Sequence, residues 1–148
     1  MKNFVFYLIF FMVLSSFVKE AKKVSDVAQV LTNGAWIQVQ SLSDDDGDGV
    51  FTDNSLTCEY DNTWVFNSDS TMTINDIGVL CAPDFGPITI SGYWLLGEND
   101  TTLSVLLSQG FTQEVFNIAK ITSQELILDT IDPENPLAAP TERYVLHR

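Results

Sequence analysis

The chain has 148 residues, of which 45% are hydrophobic and 11% aromatic, and a formal net charge of −13. That size holds one domain with a packed core and leaves too little chain for a second once an export segment is set aside. Between Val24 and Glu142 the only basic side chain is Lys120. Phosphate backbones are held by clustered Lys and Arg, so nucleic acid is excluded as a partner and an anionic membrane surface is disfavoured; the bulk acidity reads first as solubility outside the cell.

The N-terminus has the layout of an export signal. Lys2 supplies a short positive region, and an apolar run follows from Phe4 to Val18, broken by Ser15 and Ser16. That is the length of a signal-peptide core and short of the roughly 20 apolar residues a membrane helix needs. Residues 1–23 are therefore read as a signal peptide and 24–148 as the domain, secreted or periplasmic, with no stable membrane span after cleavage. Lys19, Glu20, Lys22 and Lys23 crowd the place of a cleavage site and no A-x-A stands there, so an uncleaved anchor is the alternative. Setting aside this segment's net +3, the domain carries −16.

Val24, Val27, Val30 and Leu31 fall at helical spacing, and Asn33-Gly34 ends the helix with turn chemistry. Such a short helix is a plug, a linker or a lid over a barrel mouth. The rest reads as strands near 35–42, 58–67, 70–76, 87–97, 101–108, 112–121, 124–131 and 141–148, each rich in Val, Ile, Thr, Leu or aromatic residues. Short turn clusters such as Asn67-Ser68-Asp69 and Gly97-Glu98-Asn99-Asp100 separate them, so neighbours pair as antiparallel hairpins. The fold class is all-β: an eight-stranded antiparallel up-and-down barrel with a short N-terminal helix. A two-sheet sandwich is the alternative.

The connection after the first strand is the sharpest local signal. In Asp44-Asp45-Asp46-Gly47-Asp48-Gly49-Val50-Phe51-Thr52-Asp53, the acids Asp44, Asp46 and Asp48 stand at alternate positions and Gly49 follows at the turn. A hard dication takes six to eight oxygens, and alternate residues of a curled loop can aim inward. Calcium is the expected cofactor, with Asp44, Asp46 and Asp48, the Val50 carbonyl and Asp53 as ligands. Ser55 replaces the bidentate acid of a full calcium loop, so the site is expected to be weak, about 10⁻⁴–10⁻³ M. A solvated acidic connection is the alternative. Cys58 and Cys81 are the only cysteines. An even count behind a signal peptide fits one disulfide, against the alternative of two buried thiols. A bridge closing that loop is worth about 3 kcal/mol.

These elements meet a family resemblance. Gly34-Ala35-Trp36 opens the first strand as the G-x-W signature does in lipocalins. The stretch from Cys58-Glu59-Tyr60-Asp61 to Phe66-Asn67-Ser68-Asp69-Ser70-Thr71 resembles the C-x-x-D…F-x-x-D-G-T hairpin of lipocalin-like domains in secreted Bacteroidetes proteins, with Ser70 in place of the usual Gly. Gly92-Tyr93-Trp94-Leu95-Leu96, Thr102-Leu103 and the closing Tyr144-Val145-Leu146-His147-Arg148 are similar to later segments of that family. The resemblance covers roughly residues 33–148. It implies an eight-stranded barrel, a Cys58–Cys81 disulfide, and structural roles for Gly34 and for Arg148, which would lie across Trp36 as a late arginine does in lipocalins.

Enzyme chemistry is not expected. His147 is the only histidine, no phosphate loop exists, and the ligands for a zinc or iron site are lacking. The aromatic residues Trp36, Trp64, Phe66, Tyr93, Trp94, Phe111, Phe116 and Tyr144 either pack the core or grip a ligand. In the first strand Trp36, Gln38 and Gln40 share one face by parity, and Ile37 and Val39 the other. With Trp36 inward, Gln38 and Gln40 would line a wet interior; with Ile37 and Val39 inward, the barrel would be filled. The first functional reading is a binding module for a small apolar or amphipathic molecule, held by Trp36, Gln38, Trp64, Trp94 and Phe116. The second is a filled barrel that contacts another extracellular protein, with the loops at 44–56 and 76–87 as natural contact sites.

Overall fold

The structure is a computed structural model and describes residues 25–76, 78–81, 86–108, 113–132, 134–135 and 137–148. The proposed signal segment at 1–23 and Phe111 lie outside the described residues. The first element is helix α1 (Asp26–Leu31). Ser25 caps it, its hydroxyl accepting from the Ala28 amide at 3.0 Å, and Asp26 places a negative charge at the positive end of the helix. The chain leaves α1 through Gly34, whose φ of +111° is open to glycine and strained for any other residue.

Nine strands follow: β1 (Ala35–Ser43), β2 (Thr52–Asp53), β3 (Thr63–Phe66), β4 (Thr71–Asp76), β5 (Ile88–Leu96), β6 (Thr102–Leu107), β7 (Gln113–Ile121), β8 (Glu125–Thr130) and β9 (Glu142–His147). Each neighbour in the order β1-β3-β4-β5-β6-β7-β8-β9 pairs antiparallel, and β9 returns to β1. Eight strands thus close into a barrel, and closure leaves no open edge. The two-residue strand β2 sits on the upper part of β1, with Leu42 opposite Asp53 and Ser43 opposite Thr52.

The strand expected at 58–67 is shorter than its composition suggests. Residues 57–61 form a turn and pairing starts at Thr63. Cys58 is bonded to Cys81 and the Glu59 carboxylate accepts from the Leu56 amide, so this stretch is committed to local contacts in place of a ladder. The alternation of β1 is also interrupted. Gln38 pairs with Leu146 but Gln40 pairs with Val145, which leaves Val39 as the extra residue of a bulge. Trp36 and Gln38 face inward, and the bulge turns Gln40 outward, where its amide reaches Asp53 at 3.4 Å. Parity alone placed Gln40 inside; the bulge corrects it.

The inward positions form one core of Leu31, Trp36, Trp64, Phe66, Met72, Trp94, Leu103, Val105, Phe116, Leu126, Leu128 and Leu146. Most of these are fully buried, and at about 1.5–3 kcal/mol for each large side chain they provide the main driving force for folding. Leu31 brings α1 into that core, with Val27, Ala28 and Val30 packed behind it.

Candidate functional site

The five residues expected to hold a ligand all lie in the interior, and all are buried. Trp64 on β3 meets Phe116 on β7 with ring centroids 6.3 Å apart, edge to face. In the closed strand order β3 and β7 lie on opposite sides of the barrel. Trp64 also contacts Phe66 and Tyr144, Phe66 contacts Trp94, and Phe116 contacts Tyr144, at 5.8–6.4 Å. These are favourable aromatic spacings, and side chains therefore span the lumen at this level. Gln38 is satisfied within it, its side-chain oxygen accepting from Trp64 Nε1 at 3.3 Å. Trp94 Nε1 donates to the Asn67 carbonyl at 2.9 Å, so this indole also serves the β3–β4 turn.

Trp36 and Arg148 close the end of the barrel below α1. The Arg148 guanidinium lies over the Trp36 ring at 4.0 Å, a cation–π contact. Trp36 Nε1 donates to the Leu31 carbonyl at 3.0 Å, and Arg148 donates to the carbonyls of Val30 and Ser123. The last carbonyls of a helix lack partners within the helix, and here side chains from the two ends of the barrel sequence supply them. A Cβ at Gly34 would stand 3.7 Å from Arg148 Nε, an ordinary contact, so it is the positive φ and not the space that calls for glycine there. Burial lowers the affinity of Arg148 for its proton.

The opposite rim is acidic. Glu114 faces inward, paired with the buried Val105, and burial followed by the charge of Glu142 raises its carboxyl above the usual range. The Tyr144 hydroxyl donates to Glu142 at 3.2 Å. Burial, then the charges of Glu142 and Glu114, push Tyr144 far above the usual phenol range. Outside the barrel wall, Asp129 and Arg143 form a bidentate pair at 2.6 and 2.9 Å, and Phe51 from the long β1–β2 connection stacks on the guanidinium at 4.3 Å.

The acidic connection curls around Asp44, whose relative exposure is 3%. Its two oxygens accept from the Gly47 and Gly49 amides, each at 2.9 Å. Asp46 accepts from the Asp48 amide and Asp48 from the Val50 amide. One oxygen each of Asp44, Asp46 and Asp48 lies within 4.8 Å of the others. Two of Asp44's roughly four lone-pair sites are used by amides, which leaves capacity for a cation. Gly47 and Gly49 have φ of +74° and +85°, the backbone that lets the loop turn back on itself. Asp53 does not join the three. It sits on β2, where Ser55 and Gln40 take its oxygens, and the Ser55 hydroxyl and amide hold its carboxyl below the usual range.

Cys58 and Cys81 are joined, with Cα atoms 5.0 Å apart. His147 on β9 is half-exposed, 3.6 Å from Glu125, whose carboxyl is lowered chiefly by its bond from Lys120. Asp61 and Asp76 accept from the Val79 and Cys81 amides and so hold the disulfide-bonded segment, a role that the Cys58-x-x-Asp61 spacing signals only for Asp61. No helix among the described residues is long and apolar enough to cross a membrane. No family model matches the chain, and no curated protein is detectably similar to it in sequence.

Proposed function

We propose that this chain is an exported, lipocalin-like module that works through its outer surface and rim loops, and that its lumen serves packing. One observation carries the reading: the Trp64 and Phe116 rings meet at 6.3 Å from opposite walls. A pocket for a drug-sized ligand needs about 300 Å³ or more, and aromatic rings in contact across the lumen leave no such space at that level. The order of Gly34, Trp36 and Arg148 at the closed end supports the lipocalin-like assignment, and the disulfide supports an oxidising compartment.

The outer wall supplies the surface. Tyr93, Leu95 and Leu106 on β5 and β6 are 62%, 67% and 42% exposed and line a shallow groove of about 250 Å³. Tyr93 stands directly opposite Leu106 in the ladder, so these side chains form a contiguous apolar strip. Exposed apolar side chains grouped in this way mark interaction patches. The partner class is another extracellular protein, and the strong negative charge of the domain favours one of opposite sign. Calcium bound by Asp44, Asp46 and Asp48 would stiffen the connection that places Phe51 on Arg143, a structural task with no part in catalysis.

Native mass spectrometry of the protein purified from its source tests the central point. The bare chain mass, with or without calcium, is the expected result. A stoichiometric organic molecule that disappears in Trp64→Ala would overturn the reading and return the domain to small-molecule carriage.

A further inference from the structure

In a domain of net −16, the outer wall over β4, β5 and β6 is uncharged. Residues 71–75, 88–96 and 102–107 contain no Lys, Arg, Asp or Glu. One rung of the ladder runs from Thr71 through Tyr93 and Leu106 to Gln113, and Leu95 and Ser104 form the rung beside it on the same face. Tyr93, Leu95 and Leu106 stand exposed there. The groove among them, about 250 Å³, is smaller than a drug-sized pocket and suits inserted side chains.

Carboxylates bound this wall at its helix end. Asp69, exposed in the β3–β4 turn, accepts from the Thr71 hydroxyl at 2.6 Å and from the Thr71 amide at 3.0 Å. Thr71 lies opposite Tyr93, and cross-strand neighbours are about 5 Å apart at Cβ, so the Asp69 charge sits at the edge of the strip. The same two bonds, the hydroxyl's first, hold the Asp69 carboxyl below the usual range and keep it ionised. Asp100 lies in the β5–β6 turn, just beyond the rungs of Leu95 and Leu96. Among the described residues, Lys120 and His147 face Glu125 and Arg143 faces Asp129, so no cation of this chain pairs with Asp69 or Asp100.

From this we infer that the wall docks a basic, amphipathic segment of the partner protein, with its apolar side chains on Tyr93, Leu95 and Leu106 and its Lys or Arg side chains at Asp69 and Asp100. The outer-surface role proposed above is the premise, and the chemistry of the occupant is what is added. An uncharged centre is desolvated without burying charge, while charge confined to the edge orients the partner and sets its sign. Tyr93 supplies the large, rigid aromatic anchor on which such contacts concentrate their energy. A second copy of this chain would match the apolar strip but would bring net −16 against net −16.

The probe is a short synthetic peptide of alternating leucine and lysine, added to the disulfide-intact chain. Peptides of alternating leucine and glutamate and of alternating serine and lysine are the controls. The leucine–lysine peptide is expected to shift the amide resonances of Tyr93, Leu95 and Leu106 in a saturable way, and each control to bind at least about tenfold more weakly. Tyr93→Ser and Leu106→Ser, at exposed positions outside the core, are each expected to weaken binding roughly tenfold. Asp69→Asn combined with Asp100→Asn is expected to weaken it about fivefold and to flatten its salt dependence. Asparagine keeps an oxygen for Thr71 and tolerates the left-handed backbone of Asp100, so the turns survive the change. The inference is overturned if the shifts centre on Gly47 and Gly49, if the leucine–glutamate peptide binds equally well, or if the double asparagine variant binds as before. It is equally overturned if the chain sediments as a dimer that Tyr93→Ser dissociates, which would give the wall to a second copy. These outcomes bear on the occupant of the wall alone; the outer-surface role itself falls only to an organic molecule carried in the lumen and lost in Trp64→Ala.

Discussion

At the helix end of the barrel, indole and guanidinium groups donate to helix carbonyls, and apolar rings fill the space between. At the opposite rim, carboxylates predominate, and they are held by backbone amides, one disulfide and a tyrosine hydroxyl. The first end gains from burial and from opposite partial charges. The second concentrates like charge, so its order rests on covalent closure, on local turns and, in the proposals above, on cations. A barrel can thus have one end that is stable in any buffer and another whose stability depends on redox state, pH and ions.

Trp36→Ala is the strongest way to break this comparison. It removes a fully buried indole together with the platform under Arg148, and a loss of about 3–5 kcal/mol in urea unfolding is expected. A loss no larger than that of a surface change would mean that the helix end is not the anchor described. Reduction of Cys58–Cys81 comes next, with a cost of about 3 kcal/mol by loop entropy. Hydrogen exchange should then show amides at 78–81 opening first while those at Trp36 and Leu146 stay protected; uniform loss of protection would contradict the division into two ends.

Calcium sharpens the same contrast. At ten times its dissociation constant an ion bound only to the folded state adds about 1.4 kcal/mol. That gain should raise the melting temperature of the parent chain, fall in Asp46→Ala, and be kept in full by Trp36→Ala, whose calcium loop is intact and distant. Ser70→Gly is a smaller effect of opposite sign. Ser70 holds a φ of +68° in the β3–β4 turn, and relief of a left-handed backbone should stabilise the protein by about 1 kcal/mol.

Glu114→Gln is the smallest, within about 0.5 kcal/mol, and its value lies in its pH dependence. Because Glu114 binds its proton more tightly in the folded barrel, the folded state gains as pH falls through the raised folded value toward the ordinary one, and loses as pH rises. The substitution should therefore stabilise the protein at neutral pH and lose that advantage in acid. An advantage that is constant with pH would place Glu114 in solvent.

Much of the barrel was legible because alternation is a direct record of two-sided strands. Trp64-Val65-Phe66 and Leu126-Ile127-Leu128 are read correctly from their residues alone. The failures have physical causes. A bulge inserts one residue without changing composition, so nothing in Gln38-Val39-Gln40 says that Gln40 turns outward. Cys58-Glu59-Tyr60 has strand-like chemistry, but a disulfide and side-chain bonds to local amides outweigh propensity. Among candidate ligands, the spacing of Asp44, Asp46 and Asp48 brings three oxygens together, while Asp53 is captured by strand pairing that lies beyond the reach of a local motif.

The bonds from Arg148 to the carbonyl of Val30 and from β9 to β1 have a temporal meaning as well. The first of these spans 118 positions and the second joins the first strand to the last, so neither the helix end nor the first strand is complete until β9 is present. Contacts of such long range slow folding. A chain threaded outward in an extended state would therefore remain unfolded through most of its passage, and would close only when its last strand arrives.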